Sequence, residues 1–126
     1  MNLMEFFEIK VTESSEGYVE ATMPVKTKHT QKYGFLHGGA TIALAETLAG
    51  IGSNNLINEA THVAAGTHLE CDHLKPVKEG SKLTAEASII DLKAHKHVWE
   101  VKVYDSDSLI HISKVTCRIV AKKIFE

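Results

Sequence analysis

The residues with the clearest chemical potential are one carboxylate and one imidazole in an apolar stretch. Glu46 is the only Asp, Glu, Lys or Arg between Lys32 and Glu59, and His37 is the only histidine there. Apart from the glutamate, residues 40–51 are Ala, Leu, Ile, Thr and one Gly, which predicts a central helix buried on all sides. A run of about 12 apolar residues is too short for a membrane span, which needs about 20.

An unpaired buried charge is costly, so Glu46 needs a reason to be there. It is either a structural residue at a subunit contact, paired with a Lys or His, or a carboxylate in a poorly solvated cleft that raises its basicity or nucleophilicity. The preceding His37-Gly38-Gly39 favours the second interpretation. Glycines let a substrate approach the backbone, and the N–H groups of a helix start can donate to an oxygen that becomes negative during attack.

The spacing of these groups predicts a site shared by two subunits. Gly38 and Glu46 are eight residues apart, which is about 12 Å along a helix at about 1.5 Å per residue. Groups so far apart in one chain cannot both contact one carbonyl carbon. If both act, the site combines Gly38 of one subunit with Glu46 of another, so a homodimer is required.

The length and composition predict a single domain over residues 1–126. The chain is 44% apolar and 24% charged with a net charge of −2, typical of a soluble globular protein, and gives no argument for a nucleic-acid partner. Residues 1–8 lack the basic start and long apolar run of a signal peptide, and Cys71 and Cys117 are not a C-x-x-C pair, so we expect a cytoplasmic protein with reduced, buried thiols. The eight histidines, including the pairs His95/His97 and His68/His73, lack the spacing of a zinc site. The sequence contains neither a nucleotide-binding motif nor the G-x-S-x-G motif of a catalytic serine. We therefore expect no metal and no cofactor.

Alternating apolar residues predict strands on both sides of the helix. Turns are expected at 14–17, 78–80 and 105–108, and residues 50–55 should end the helix. A helix packed on locally connected antiparallel strands is an α+β arrangement. The predicted strands are Phe7–Thr12, Val19–Met23, Val63–Leu74, Lys82–Leu92, Val98–Tyr104 and Leu109–Ala121.

The segment from Gln31 through His37-Gly38-Gly39 to Glu46 resembles the active-site segment of hotdog-fold acyl-CoA thioesterases. The nearest branch is the phenylacetate-pathway type, with the 4-hydroxybenzoyl-CoA and 1,4-dihydroxy-2-naphthoyl-CoA thioesterases. This resemblance implies one long central helix wrapped by a curved antiparallel sheet of five or six strands. It also implies a dimer with two sites under a shared sheet, and a dimer of dimers is expected.

The resemblance further implies hydrolysis of an acyl-CoA with an aromatic or medium-chain acyl group, in which coenzyme A enters only as part of the substrate. Glu46 would be the nucleophile or the general base. His37, Gly38 and Gly39 would form the oxyanion site, with Gln31 as a neutral donor beside the thioester. Related hotdog hydratases and enzymes with an Asp nucleophile fit less well, and a non-catalytic acyl-CoA sensor or carrier is the alternative from another class.

The sequence leaves alternative roles for several other residues. Related enzymes often carry Ser or Thr one turn after the glutamate, where this chain has Gly50; Thr47 is about 100° round the helix, and Ser53 is one residue too far along. His73 would lie near the acyl or pantetheine end, or is a structural histidine. The candidates for binding the coenzyme A phosphates are Lys75, Lys78, Lys82, Lys93 and Lys96.

Overall fold

A computed structural model of the chain describes residues 1–125, which form one antiparallel sheet and two helices. The sheet order is given by strand number as 1-2-4-5-6-3. The elements are α1 (Leu3–Phe6), β1 (Lys10–Ser15), β2 (Tyr18–Pro24), α2 (Gly38–Asn54), β3 (His62–His73), β4 (Lys82–Leu92), β5 (Lys96–Asp105) and β6 (Ser108–Ala121). Within these residues, no helix combines the length and apolar character needed to cross a membrane.

The core lies between α2 and one face of the sheet. Helix α2 contacts each of β2 to β6, and alternate residues of the central strands are buried against it, as a half-buried strand requires. The predicted inward residues are confirmed, with Trp99, Val101 and Val103 of β5 fully buried. The predicted strands after the helix are confirmed within two residues at each end.

The first strand prediction is wrong at its start. Residues 3–6 form α1, because the side chains of Asn2 and Glu5 each accept a hydrogen bond from the other's backbone N–H in a capping box. Glu8 then has a left-handed backbone with φ 59°, and β1 begins only at Lys10. The alternation over residues 7–12 therefore describes a helix end followed by a strand.

The helix ends within the predicted range of residues 50–55, but the two glycines in that range do not end it. Helix α2 continues through Gly50 and Gly52 to Asn54. Gly52 lies directly on the indole of Trp99, where an added Cβ would come within 2.4 Å of a ring carbon. That glycine lets helix and sheet approach closely and does not end the helix.

The expectation that α2 is buried on all sides is wrong for the single chain. Leu44, Ala45, Leu48 and Ala49 are fully buried, whereas Glu46 is exposed and residues 42, 43, 47 and 50 are only half-buried. This face of the helix is apolar apart from Glu46, yet the described residues cover it only in part.

Candidate active site

His37 ends the loop before α2 and is the N-cap of that helix. Its backbone is extended, and its Nδ1 accepts a 2.8 Å hydrogen bond from the N–H of Gly39. A neutral imidazole whose Nδ1 accepts carries its proton on Nε2. The helix cap therefore fixes the tautomer and leaves an exposed ring with an Nε2–H donor.

The same hydrogen bond occupies one of the N–H donors expected in the oxyanion site. The N–H of Gly39 donates to Nδ1 of His37, so it could serve the predicted oxyanion site only by sharing or breaking that hydrogen bond. Gly39 must still be small, because an added Cβ would lie 3.0 Å from Nδ1 of the cap. The remaining donors at the helix start are the His37 Nε2–H and the backbone N–H of Gly38.

Gln31 stabilises its own turn. Its side-chain oxygen accepts from the backbone N–H groups of Tyr33, at 2.6 Å, and Phe35, at 3.4 Å. Its backbone N–H in turn donates to the carbonyl of Phe35 at 2.8 Å. With the oxygen engaged in the turn, the NH₂ group is the donor that the half-buried Gln31 still offers, and its role beside a thioester stays a prediction.

Glu46 lies on the open face of α2 against the backbone of β3. An added Cβ at Gly66 would come within 2.8 Å of the carboxyl carbon of Glu46. Residue 67 is left out of the strand register with β6, which passes from Gly66 to His68 at a bulge. The sequence analysis missed Gly66, although an isolated glycine within a strand is the usual signal of a bulge or a close approach.

The structure does not bring the two halves of the expected site together within one chain. His37 and Gly38 begin α2, and Glu46 lies in its third turn with the helix unbroken between them. The separation of about 12 Å expected from helix geometry therefore holds.

Of the two hydroxyl residues considered for holding a water near Glu46, Thr47 and Ser53, the structure removes Ser53. Ser53 is fully buried, and its hydroxyl bonds to Nδ1 of His97 at 2.8 Å and to the indole N–H of Trp99 at 2.7 Å. Ser53 is thus a structural residue, and burial lowers the pKa of His97. At Gly50 an added Cβ would meet nothing within 4 Å, so the surface one turn after Glu46 is open.

His73 reaches the start of α2 from the end of β3. An added Cβ at Gly38 would lie 2.7 Å from its Nε2, and its Nδ1 is 3.1 Å from Nδ1 of His111 on β6. Burial, together with the neighbouring His73, lowers the pKa of His111 to about 4, so His111 is neutral. The sequence analysis missed His111, since nothing in its local pattern distinguishes it from the other inward residues of β6.

The lysines suggested for phosphate binding are dispersed. Lys75 lines the same cleft as Gly38 and His73, and its ammonium donates to the hydroxyl of Ser108 at 2.9 Å. Lys78 and Lys82 are exposed and lie outside that cleft. Lys93 is 3.5 Å from the carboxylate of Asp91, in an exposed pair. Among the described residues that line this cleft, Lys75 is the one lysine.

The comparisons with known proteins identify the family. The model of the Thioesterase superfamily matches residues 33–110. A mutant of a thioesterase enzyme from Staphylococcus aureus is 37% identical and superposes with a TM-score of 0.91, over 94% of this chain and 98% of that one. The chain belongs to the thioesterase superfamily, and it is a thioesterase with the hotdog fold.

Two curated relatives are similar over most of their length. The 1,4-dihydroxy-2-naphthoyl-CoA hydrolase of Listeria monocytogenes is 33% identical over 98% of both chains. The proofreading thioesterase EntH of Klebsiella pneumoniae is 39% identical over 75% of this chain and 67% of its own.

Proposed function

We propose that this protein hydrolyses an acyl-CoA thioester at sites built from two subunits. The observation that carries the proposal is the fixed tautomer of His37, which places an exposed Nε2–H donor beside the free N–H of a helix start. Such donors stabilise the oxyanion that forms when a thioester carbonyl is attacked.

Glu46 supplies the reacting carboxylate. It lies against the open backbone at Gly66, and it is exposed in the single chain because the facing surface belongs to the other subunit. In one route the carboxylate attacks the carbonyl carbon, coenzyme A leaves as the thiolate, and water then hydrolyses the mixed anhydride and restores Glu46. In the other, Glu46 takes a proton from a water whose oxygen attacks the same carbon; the C–S bond then breaks, and coenzyme A leaves as the thiolate and takes up that proton. Both routes yield free acid and coenzyme A.

The second subunit follows from the distance between the two halves of the site. With about 12 Å between Gly38 and Glu46 along one helix, one carbonyl carbon can contact both only if they come from different chains. The long edge strand β3 has an unpaired outer side next to Glu46, and an unprotected edge of this length favours pairing with another chain. We infer that a second copy of this chain pairs there and covers the open face of α2.

The substrate class rests on the relatives and on the cleft. Both the Listeria hydrolase and the Klebsiella enzyme act on thioesters by their names, and the crystallised staphylococcal variants replace one glutamate or one glutamine by alanine, the residue types that Glu46 and Gln31 supply here. Gly38, Thr41 and His73 line a cleft at the helix start that can take an acyl or pantetheine group, with Lys75 at its edge. An aromatic or medium-chain acyl-CoA fits this mixture of polar and apolar lining.

The test is release of the thiol from a panel of acyl-CoA thioesters, followed with a thiol reagent, for the wild type and for Glu46→Gln. The variant is nearly isosteric and exposed in the single chain, so it should fold and bind acyl-CoA while kcat falls by at least about 100-fold. If the wild type binds the thioesters and releases no thiol from any of them, the protein is an acyl-CoA binder. If Glu46→Gln keeps more than about a tenth of kcat, Glu46 is not the reacting group.

A further inference from the structure

Cys71, His73 and His111 form a compact cluster of metal-binding side chains on the helix side of the sheet. Cys71 and His73 are two residues apart on β3, so they share one face, and His111 pairs directly with His73 across the β3–β6 ladder. The Sγ of Cys71 is 3.8 Å from Nε2 of His73, and the Nδ1 atoms of the two histidines are 3.1 Å apart. One donor atom from each side chain lies within 4.8 Å of the other two.

We propose that these three side chains form a binding site for Zn²⁺. One thiolate and two imidazoles are a donor set that zinc prefers, with bonds of about 2.3 Å to sulfur and about 2.0 Å to nitrogen. Tetrahedral bonds of these lengths place the ligand atoms about 3.3 to 3.6 Å apart. With one donor atom taken from each side chain, the three atoms lie within 4.8 Å of one another, which is wider than a bound ion requires, so the side chains would draw together on binding.

Buried polar atoms without hydrogen-bond partners, in the cluster and next to it, are a second observation in favour of a bound ion. The Nε2 of His111 and the hydroxyl of Ser113 are buried, and neither has a hydrogen-bond partner among the described residues. Ser113 pairs with Cys71 in the same ladder. Buried polar groups are almost always satisfied. Zinc bound at Nε2 of His111 would satisfy that atom directly, and a water in the fourth zinc position would be a hydrogen-bond partner for the Ser113 hydroxyl.

Zinc binding is chemically simple at this site and does not depend on thioester hydrolysis. The Cys71 thiol loses its proton to solvent as the Zn–S bond forms, and both imidazoles bind in the neutral form. Because His73 also packs on Gly38, the proposed site lies next to the start of α2. The zinc proposal rests on this cluster and the thioesterase proposal rests on His37 and Glu46, so either one can fail while the other stands.

The test uses Co²⁺ as a spectroscopic probe on tag-free protein freed of metal. We expect a thiolate-to-Co²⁺ charge-transfer band and the visible bands of four-coordinate Co²⁺, saturating at about one ion per chain and displaced by Zn²⁺. Cys71→Ser should remove the charge-transfer band, and His111→Gln should weaken binding by at least about 100-fold, since even indirect losses at metal sites cost about 10- to 100-fold.

Matched controls are Cys117→Ser, which alters the other cysteine, and His68→Ala, which removes a histidine of β3 outside the cluster; both should bind as the wild type does. Absence of the charge-transfer band in the wild type, or its persistence in Cys71→Ser, would overturn the proposal. A second measurement needs no variant: saturating Zn²⁺ should slow alkylation of Cys71, scored by peptide mapping. An unchanged rate would equally overturn the site.

Discussion

At the start of α2, one imidazole both caps the helix and serves as a candidate donor. The hydrogen bond from Gly39 to Nδ1 of His37 satisfies one of the orphan N–H groups of the helix. It also leaves the proton on Nε2, facing outward. A histidine in this position is therefore pre-organised as a donor without a further residue to hold it.

These two tasks can be separated by substitution. His37→Ala loses both, so kcat should fall by about 100-fold, the loss expected for one oxyanion donor, and the free energy of unfolding should fall by about 1 kcal/mol. His37→Ser keeps an acceptor for the helix N–H and should recover the stability but not kcat. The measurements are steady-state kinetics and urea unfolding of the three proteins.

The effect should appear mainly in kcat, because the donor matters most once negative charge develops. A raised KM with unchanged kcat would make His37 a residue of ground-state binding. Recovery of kcat by the serine variant would show that only the cap matters.

At the scale of elements, the sequence predicts the parts governed by periodicity. Strands β2 and β5 alternate cleanly, so their positions follow from the buried face alone. The end of α2 falls within the predicted range, but Gly50 and Gly52 lie inside the helix, and contact with Trp99 explains Gly52. The bulge at Gly66 and the pairing of His73 with His111 join residues far apart in sequence, so no local pattern contains them.

The close approach at Gly66 leads to a prediction about Glu46. In Gly66→Ala the new Cβ would lie 2.8 Å from the carboxyl carbon, and the flexible glutamate relieves the clash by moving. The fold should persist while kcat falls by about 100-fold, because a shift of about 1 Å in a reacting group can cost that much. Kinetics and circular dichroism check this.

The matched control is Ala65→Ser, which adds one atom to the neighbouring residue of β3, paired with Arg118 on the ladder. Its side chain points to the opposite face of the strand, so kcat should be retained. Equal activity of Gly66→Ala and the wild type would mean that Glu46 acts from a position away from β3.

The hydroxyl of Ser53 joins the end of α2 to β5, and its loss should destabilise the fold. Ser53→Ala leaves the indole N–H of Trp99 and Nδ1 of His97 buried without their partner. Each such loss costs about 1–3 kcal/mol, so the free energy of unfolding should fall by about 2–4 kcal/mol in urea titrations. Ser113→Ala is the matched control, since it removes a buried hydroxyl that has no partner among the described residues and should change stability little. Equal losses in the two variants would show that the hydrogen bonds of Ser53 contribute nothing specific.

At the scale of the whole molecule, two open surfaces lie side by side. The face of α2 around Glu46 is apolar yet uncovered in the single chain, and β3 beside it is an edge strand of 12 residues. A second copy placed on these surfaces by a two-fold axis would cover both at once, because such an interface uses the same patch twice. It would also bring the His37 loop of one subunit toward Glu46 of the other.

Shared sites can be tested by mixing two inactive variants, Glu46→Gln and the double variant Gln31→Ala with His37→Ala. In a mixed dimer one site carries both lesions, and the other combines an intact Glu46 with an intact His37 loop. Equal amounts mixed at random give about half mixed dimers, each with one working site, so activity should return to about one quarter of wild type if sites are independent. Subunit exchange is verified with differently tagged chains, and each variant alone is the baseline. If the subunits exchange and no activity returns, Glu46 and His37 serve a site within one chain, and the argument from their separation along α2 fails.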